Sequence, residues 1–273
     1  MSIKLIATDL DGTLLSGDHM TITDRTISAL KKAHDMGVKI AIATGRTMVL
    51  IKSIIEQIPF VDYIIYANGA CVYDMKSSKL LYKDLIPNEI AKDIIPYFLE
   101  KNVFFEVYID GRSNSQIELK KYFRGEAFPD DFVERVIKDM DFHTSLVDFI
   151  GDKDIEKVTF YSLKDEDYDE LVKKLEEHNL AVAISFKGSL EGTKKTATKG
   201  KALENLCKIL DIKPSEAMAF GDAGNDADML KFAEYSFAMK NGDDESKASA
   251  KYVADSNEED GLAKIVEKFV INC

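Results

Sequence analysis

The stretch Ile3-Lys4-Leu5-Ile6-Ala7-Thr8-Asp9-Leu10-Asp11-Gly12-Thr13 sets two carboxylates and a glycine directly behind a short apolar run with β-branched content. The run, Ile3–Thr8, reads as a buried strand. A residue at a strand's C-terminal end faces the crevice in which open α/β sheets bind ligands. Asp9 and Asp11 both face that crevice if the strand ends between them, with Gly12 allowing the chain to turn. An Asp-Gly turn is also an ordinary structural device, so the pentapeptide alone leaves both readings standing.

Working outward, strand-like and helix-like signals alternate. Thr23–Met36 carries Ile27, Leu30 and Ala33 at helical spacing, begins at a Thr N-cap and stops at Gly37. Val38–Ala43 reads as a fully buried strand, Met48–Ile58 as a helix, and Val61–Tyr66 as another strand. Buried strands separated by amphipathic helices indicate a parallel sheet covered on both faces. The rhythm then changes. Ala70–Asp74 and Leu80–Asp84 read as a hairpin, Pro87 opens a helix, and Val103–Ile109 runs into an Asp110-Gly111 turn. A polar and aromatic stretch to Gly151, strand Lys157–Ser162, helix Glu166–His178 and strand Ala181–Phe186 follow. From Lys199 the alternation returns with helix Lys199–Leu210, strand Ala217–Gly221, helix Asn225–Ala233, short strands near 236–238 and 252–253, and helix Leu262–Val270. The expected fold is an α/β core with a Rossmann-like parallel sheet, residues 1–83 and 190–273, interrupted by an inserted α+β domain, residues 84–189.

Three further motifs fall at the ends of these elements. Gly221-Asp222-Ala223-Gly224-Asn225-Asp226 follows a strand and opens a helix, where either Asp alone would pass as a cap. Two acidic clusters, each at a strand end, are harder to explain as caps. Without a cation they would repel, and a hard oxygen-seeking ion such as Mg²⁺ resolves the conflict. Thr44-Gly45-Arg46 offers a hydroxyl and a close backbone approach, both suited to a phosphate oxygen, although Thr-Gly is also a routine strand-to-helix turn. Lys199, at a helix start, is mildly misplaced unless an anion sits beside it. With Asp11 taken as protonated, Asp9, Asp222 and Asp226 carry about −3, which one Mg²⁺ and Lys199 offset with about +3. A phosphate dianion then becomes acceptable.

Composition narrows the partners. The 273 residues are 45% hydrophobic and 31% charged, a globular balance. The 36 Lys and Arg against 48 Asp and Glu give a formal charge of −12, a field that repels nucleic acids and anionic membranes. Cys71, Cys207 and Cys273 form neither a disulfide framework nor a zinc set. The first residues become charged too soon for a signal peptide, and no segment approaches the ~20 apolar residues of a bilayer span. A cytoplasmic protein is expected.

In order, Asp-x-Asp-Gly-Thr, Thr-Gly-Arg, Lys-Gly and Gly-Asp-x-x-Asn-Asp resemble the haloacid dehalogenase-like hydrolases, and more narrowly their Cof-type sugar-phosphatase branch. Tyr66-Ala-Asn-Gly-Ala70, Ala238-Met-Lys-Asn-Gly242 and Ser256-Asn-Glu-Glu-Asp-Gly-Leu262 look like that branch too. The chain departs from it at Ala223-Gly224, at Gly192, where an apolar strand residue is common, and at Thr196, where a glycine is. The resemblance implies a Mg²⁺-dependent phosphatase of small phosphate monoesters, sugar phosphates foremost. Asp9 would be the nucleophile and form an aspartyl-phosphate, while Asp11 would be the general acid and then the base. Thr44, Gly45, Lys199 and Asn225 would hold the phosphoryl group. The ion would lie between Asp9, Asp11 through its backbone carbonyl, Asp222 and Asp226. This fits the physics of phosphoryl transfer, which depends on positioning and charge neutralisation.

Between Asp11 and Thr44 there is room for one helix and one strand only. Between Thr44 and Lys199 there is room for core elements and a domain of ~100 residues, an expected cap that excludes water and sets specificity. Two rival readings use the same residues: a receiver-type phospho-acceptor domain and a phosphosugar-binding sensor without turnover. Asp11 argues against the first by promoting hydrolysis, and the intact Asp9/Asp11 pair argues against the second. Pyridoxal phosphate and flavin-related phosphates are alternative substrates, and no oligomeric state is implied.

Overall fold

Strand β1 (Leu5–Thr8) is buried at every position, as a strand covered on both faces must be. In the computed structural model, which describes residues 3–123, 137–138, 140–184 and 187–272, it lies within an eight-stranded sheet. The other members are β2 (Lys39–Ala43), β3 (Tyr63–Tyr66), β4 (Cys71–Asp74), β5 (Lys79–Lys83), β12 (Ala217–Gly221), β13 (Tyr235–Met239) and β14 (Tyr252–Ala254). Their order is β14-β13-β12-β1-β2-β3-β4-β5. Neighbours from β14 to β3 pair parallel, while β4 and β5 add an antiparallel edge. The chain thus builds outward from β1 in one direction and from β12 in the other. Open α/β sheets place their ligand crevice beyond the strand ends at such a switch point.

Alternation along the strands supplies both faces. Leu5, Ala7, Ala41 and Ala43 pack with Ala202, Leu203 and Leu206 of the helix Lys199–Leu210. The interleaved Ile6, Ile40, Ile42 and Ile64 are equally buried, and the helix Asp24–Asp35 packs on β2. Each fully buried Leu or Ile contributes roughly 1.5–3 kcal/mol, so these two layers hold the sheet. Among the described residues no helix is long and apolar enough to cross a membrane. Cys71 and Cys207 are buried thiols; Cys273 lies outside the described residues.

Two compact units are formed, one of Met1–Arg46, Leu50–Lys83 and Ala197–Cys273, the other of Thr47–Val49 and Asp84–Thr196. The second has its own sheet, built from β6 (Phe104–Ile109), β7 (Arg112–Gln116), β8 (Asp141–His143), β9 (Lys157–Tyr161), β10 (Leu180–Ala183) and β11 (Leu190–Lys194) in the order β10-β11-β9-β6-β7-β8. The helices Asn88–Leu99 and Asp165–Glu177 supply Phe98, Leu171 and Leu175 to a core with Phe105 and Phe160. The rings of Phe98 and Phe160 meet edge to face at 4.8 Å. The buried carboxylate of Glu106 accepts from the hydroxyls of Tyr108, Ser113 and Tyr161.

Several boundaries move. Leu190–Lys194 is strand β11, paired with β9 and β10, so the second unit runs past the expected end at 189. Its polar sequence hid it from a reading based on apolar runs. Gly192 suits this strand because a Cβ there would lie 2.8 Å from Leu175 Cδ2 and 2.9 Å from Val158 Cγ1; those side chains already fill the space. The expected helix Met48–Ile58 is a tight turn, Met48–Ile51, with a short helix Lys52–Ile55. The helix expected at Asn225–Ala233 divides similarly into a turn, Gly224–Asp226, and Ala227–Phe232. Part of the stretch before Gly151, and residues 185–186 of the expected strand Ala181–Phe186, lie outside the described residues.

The cap of the helix Asp24–Asp35 gives a direct test of local stability. The Thr23 hydroxyl accepts from the Thr26 N–H at 3.2 Å and donates to Asp260 Oδ1 at 2.6 Å. Thr23→Ala should cost about 1–2 kcal/mol in denaturant titration.

Candidate active site

The Asp9 N–H still donates to the Phe220 carbonyl of β12 at 3.0 Å, so its backbone belongs to the sheet and only its carboxylate leaves it. The chain then closes a tight turn, Leu10–Leu14, with Leu15 N–H on the Leu10 carbonyl at 2.9 Å. Gly12 is left-handed there at φ +76, and a Cβ on it would lie 2.3 Å from Asp222 Oδ2. Glycine satisfies both constraints at once. The turn also aims the Thr13 hydroxyl at Asp222 Oδ1, 2.7 Å away.

Lys199 supplies the positive charge. It opens the helix Lys199–Leu210, which precedes β12 and therefore begins at the end of the sheet where β1 and β12 finish. Its ammonium is 2.6 Å from Asp9 Oδ1 and 2.7 Å from Asp226 Oδ1, with the side chain only 1% exposed. The other oxygen of Asp226 accepts from the N–H groups of Asp222 and Ala223 at 3.0 and 3.1 Å. The Asp222 carbonyl is held in turn by the Asp243 N–H and the Ser246 hydroxyl at 2.8 and 2.9 Å. Burial opposes the charge on Lys199, but Asp226 and Asp9 outweigh it and keep the ammonium protonated. Burial pushes Asp222 up to about 6, with Asp226 adding like charge. It also pushes Asp9 well above the usual carboxylate range, where Asp226 and Asp222 reinforce it and Lys199 pulls against it.

Burial is the largest cause for both carboxylates, and the excess of carboxylates over the single ammonium adds to it. Oxygens of Asp9, Asp222 and Asp226 lie within 4.8 Å of one another. The donors are all carboxylate oxygens and negative charge is in excess. That combination fits a hard divalent cation, which takes oxygen ligands of this kind.

The expected treatment of Asp11 as a protonated partner needs correcting. Its side chain is not in that cluster. Arg46 grips it in a fork, Nε to Oδ2 at 2.8 Å and Nη2 to Oδ1 at 2.5 Å, and His19 Nδ1 lies 3.0 Å from Oδ1. Burial would raise its pKa, but the hydrogen bonds and charge of Arg46, with His19 behind them, leave it lowered. Asp11 is thus neutralised by a guanidinium and not by a proton. With Arg46 as its counter-charge, Asp11 adds no net negative charge to the three carboxylates.

The remaining expected residues ring the same edge. Thr44 follows β2, is buried, and accepts on its hydroxyl from the Arg46 N–H at 3.0 Å. Gly45 lies against the Asn68 side chain, which accepts from Asn225 Nδ2 at 3.1 Å. Sequence reasoning gave no role to Arg46, His19, Thr13 or Asn68. Arg46 and Asn68 lie inside quoted motifs, Thr-Gly-Arg and Ala-Asn-Gly, whereas nothing local marks His19 as a neighbour of Asp11. Asn241, which lies inside the quoted motif Ala238–Gly242 but was given no role, donates its Nδ2 to the Gly12 carbonyl at 2.7 Å.

The chain is similar to known proteins over nearly its whole length. Residues 6–266 match the haloacid dehalogenase-like hydrolase family. The chain is 30% identical to the 5-amino-6-(5-phospho-D-ribitylamino)uracil phosphatase YwtE of Bacillus subtilis, over 98% of both chains. It is also 30% identical, over the full length of both, to a putative phosphatase of Streptococcus pyogenes. Among solved structures it is similar to a Thermotoga maritima protein (TM-score 0.83, 27% identity, 97% of both chains). It is similar as well to a HAD subclass IIB sugar phosphatase (TM-score 0.75, 26% identity, 97% of this chain and 98% of that one). With its two carboxylates behind β1, its buried lysine and its acidic loop behind β12, the chain belongs to the haloacid dehalogenase-like hydrolases and is a phosphoric monoester hydrolase.

Proposed function

We propose that the protein is a Mg²⁺-dependent phosphatase of small phosphate monoesters that works through an aspartyl-phosphate on Asp9. The observation that carries this reading is the cluster of Asp9, Asp222 and Asp226 around the single ammonium of Lys199. Asp9 and Asp222, the backbone carbonyl of Asp11 and, directly or one contact removed, Asp226 would hold the ion. Bound there, Mg²⁺ supplies positive charge against the anionic substrate and the developing transition state.

The protein's own groups then have distinct tasks. Lys199, Thr44, the Gly45 backbone and Asn225 receive the non-bridging oxygens and orient the phosphorus toward Asp9. A carboxylate oxygen of Asp9 forms a bond to phosphorus while the bond to the ester oxygen breaks. Asp11 delivers a proton to that oxygen, so the alcohol leaves neutral. Water next attacks the acyl phosphate, Asp11 takes its proton, and the bond from phosphorus to Asp9 breaks. This releases phosphate and restores both carboxyl groups. Arg46 holds Asp11 ionised in the free protein, so Asp11 takes a proton from solvent before the first step and returns one to solvent after the second.

The names of the relatives suggest the alcohol: a polyhydroxylated chain such as a sugar or a ribityl group. We assign the choice among such alcohols to the unit formed by Asp84–Thr196, since the groups around Asp9 address only phosphate and cation. Released phosphate, measured across sugar phosphates, ribityl phosphates and pyridoxal phosphate, tests the substrate class.

Three outcomes are expected. Exhaustive EDTA treatment should abolish turnover and added Mg²⁺ restore it; full activity in EDTA would remove the metal from the mechanism. Asp9→Asn should end turnover without unfolding the chain, and acid-quenched labelling of the wild type should place the phosphoryl group on Asp9. Label on another residue would sink the assignment. Asp11→Asn should lose about 10²–10⁴-fold on alkyl phosphates, the usual worth of acid–base assistance. The loss should be smaller on p-nitrophenyl phosphate, whose leaving group departs without a proton. Comparing kcat/KM losses on both substrates decides this, and equal losses would reassign the acid.

A further inference from the structure

The turn Ala67-Asn68-Gly69, directly behind β3, has no task in the chemistry above, yet it meets the loops that carry Thr44, Asn225 and Lys199. All three residues are left-handed, with φ of +50, +55 and +96, a conformation costly for Ala and tolerated by Asn. The Ala67 N–H donates to the Arg46 carbonyl and the Asn68 N–H to the Thr44 carbonyl, each at 3.0 Å. Two successive N–H groups therefore pin the loop that carries Thr44, Gly45 and Arg46. The side-chain oxygen of Asn68 accepts from Asn225 Nδ2 at 3.1 Å, on the loop behind β12. At Gly69 the chain passes so close to the residue before Lys199 that a Cβ would lie 2.2 Å from the Thr198 carbonyl oxygen. The three phosphate-facing loops meet at one turn.

We infer that Asn68 is a positioning residue for the phosphoryl group, its backbone fixing Thr44 and its side-chain amide fixing Asn225. The inference rests on the reading of Thr44, Lys199 and Asn225 as the phosphoryl-holding groups. Glycine would suit the left-handed backbone at position 68 better than asparagine. What asparagine adds is an oxygen, and that oxygen holds the Asn225 amide. Without it Asn225, which is exposed, keeps its rotamer freedom and must lose it each time phosphate binds.

Asn68→Gly separates these functions, because it keeps the left-handed backbone and its N–H bonds while deleting the amide. Asn225→Ala and the double variant complete a cycle. The readouts are kcat/KM on p-nitrophenyl phosphate, the inhibition constant of inorganic phosphate and the melting temperature, all on the full chain with Mg²⁺. Asn68→Gly should lower kcat/KM and weaken phosphate inhibition by about threefold to tenfold, the worth of one hydrogen bond. The double variant should be no worse than Asn225→Ala alone. Unchanged phosphate inhibition in Asn68→Gly, whatever its melting temperature, would overturn the inference and leave Asn68 a structural residue. So would losses that multiply in the double variant. If the wild type fails to hydrolyse p-nitrophenyl phosphate at all, the underlying reading falls and takes this inference with it.

Discussion

A single ammonium group, that of Lys199, ties the fold to the site. Its side chain is almost wholly buried between Asp9 and Asp226, and a charge so placed is tolerable only while its partners remain. Removing one partner of a buried pair commonly costs about 3–5 kcal/mol, a large share of the ~5–15 kcal/mol that separates a folded domain from its unfolded chain. Three stretches distant in sequence are thereby committed to one another: the end of β1, the start of the helix Lys199–Leu210 and the loop behind β12. The pair is not there for stability alone, since an apolar trio would serve that better. It keeps two carboxylates side by side in a dry place, where a third, Asp222, adds negative charge that the lysine does not balance.

The sheet makes this possible through register. Thr8 sits opposite Phe220 on one side and Ile42 on the other. The next residue of each strand, Asp9, Gly221 and Ala43, therefore falls in one row, and Asp222 and Thr44 follow one step beyond. A slip of one residue would send alternate side chains to the wrong face. The buried alternation of Ile6, Ile40 and Ile42 with Ala7, Ala41 and Ala43 fixes the height of the groups at the strand ends. Packing inside the sheet thus sets geometry at its edge.

Much of this was legible because strand ends, caps and turn residues leave local marks. The helix Lys199–Leu210 and the strand Ala217–Gly221 have the expected bounds, since a Thr N-cap and an unbroken apolar run need no tertiary information. Strand β11 was illegible for the opposite reason: its Glu191, Thr193 and Lys194 follow no apolar pattern, and its place is decided by β9 and β10 across the ladder. The short helix Asp244–Ser249 was missed because too few turns exist for a period to show. At the site, the identity of Asp11 was visible but its state was not. Its partner, Arg46, lies 35 residues away, and no spacing rule pairs them.

The two carboxylates of Asp-x-Asp end in opposite surroundings although one residue separates them. Asp9 turns inward to Lys199, where both side chains are nearly inaccessible. Asp11 turns outward to Arg46, with 40% of its own side chain and 20% of the arginine exposed. Water reaches the second pair, so parting it leaves both charges solvated, whereas the first cannot open without stranding a charge. That difference suits the work proposed for each. A nucleophile must be held still, and an acid–base group must exchange protons with solvent between steps. The tight turn Leu10–Leu14 begins between the two aspartates, and carboxylates one residue apart thereby live in different dielectric environments.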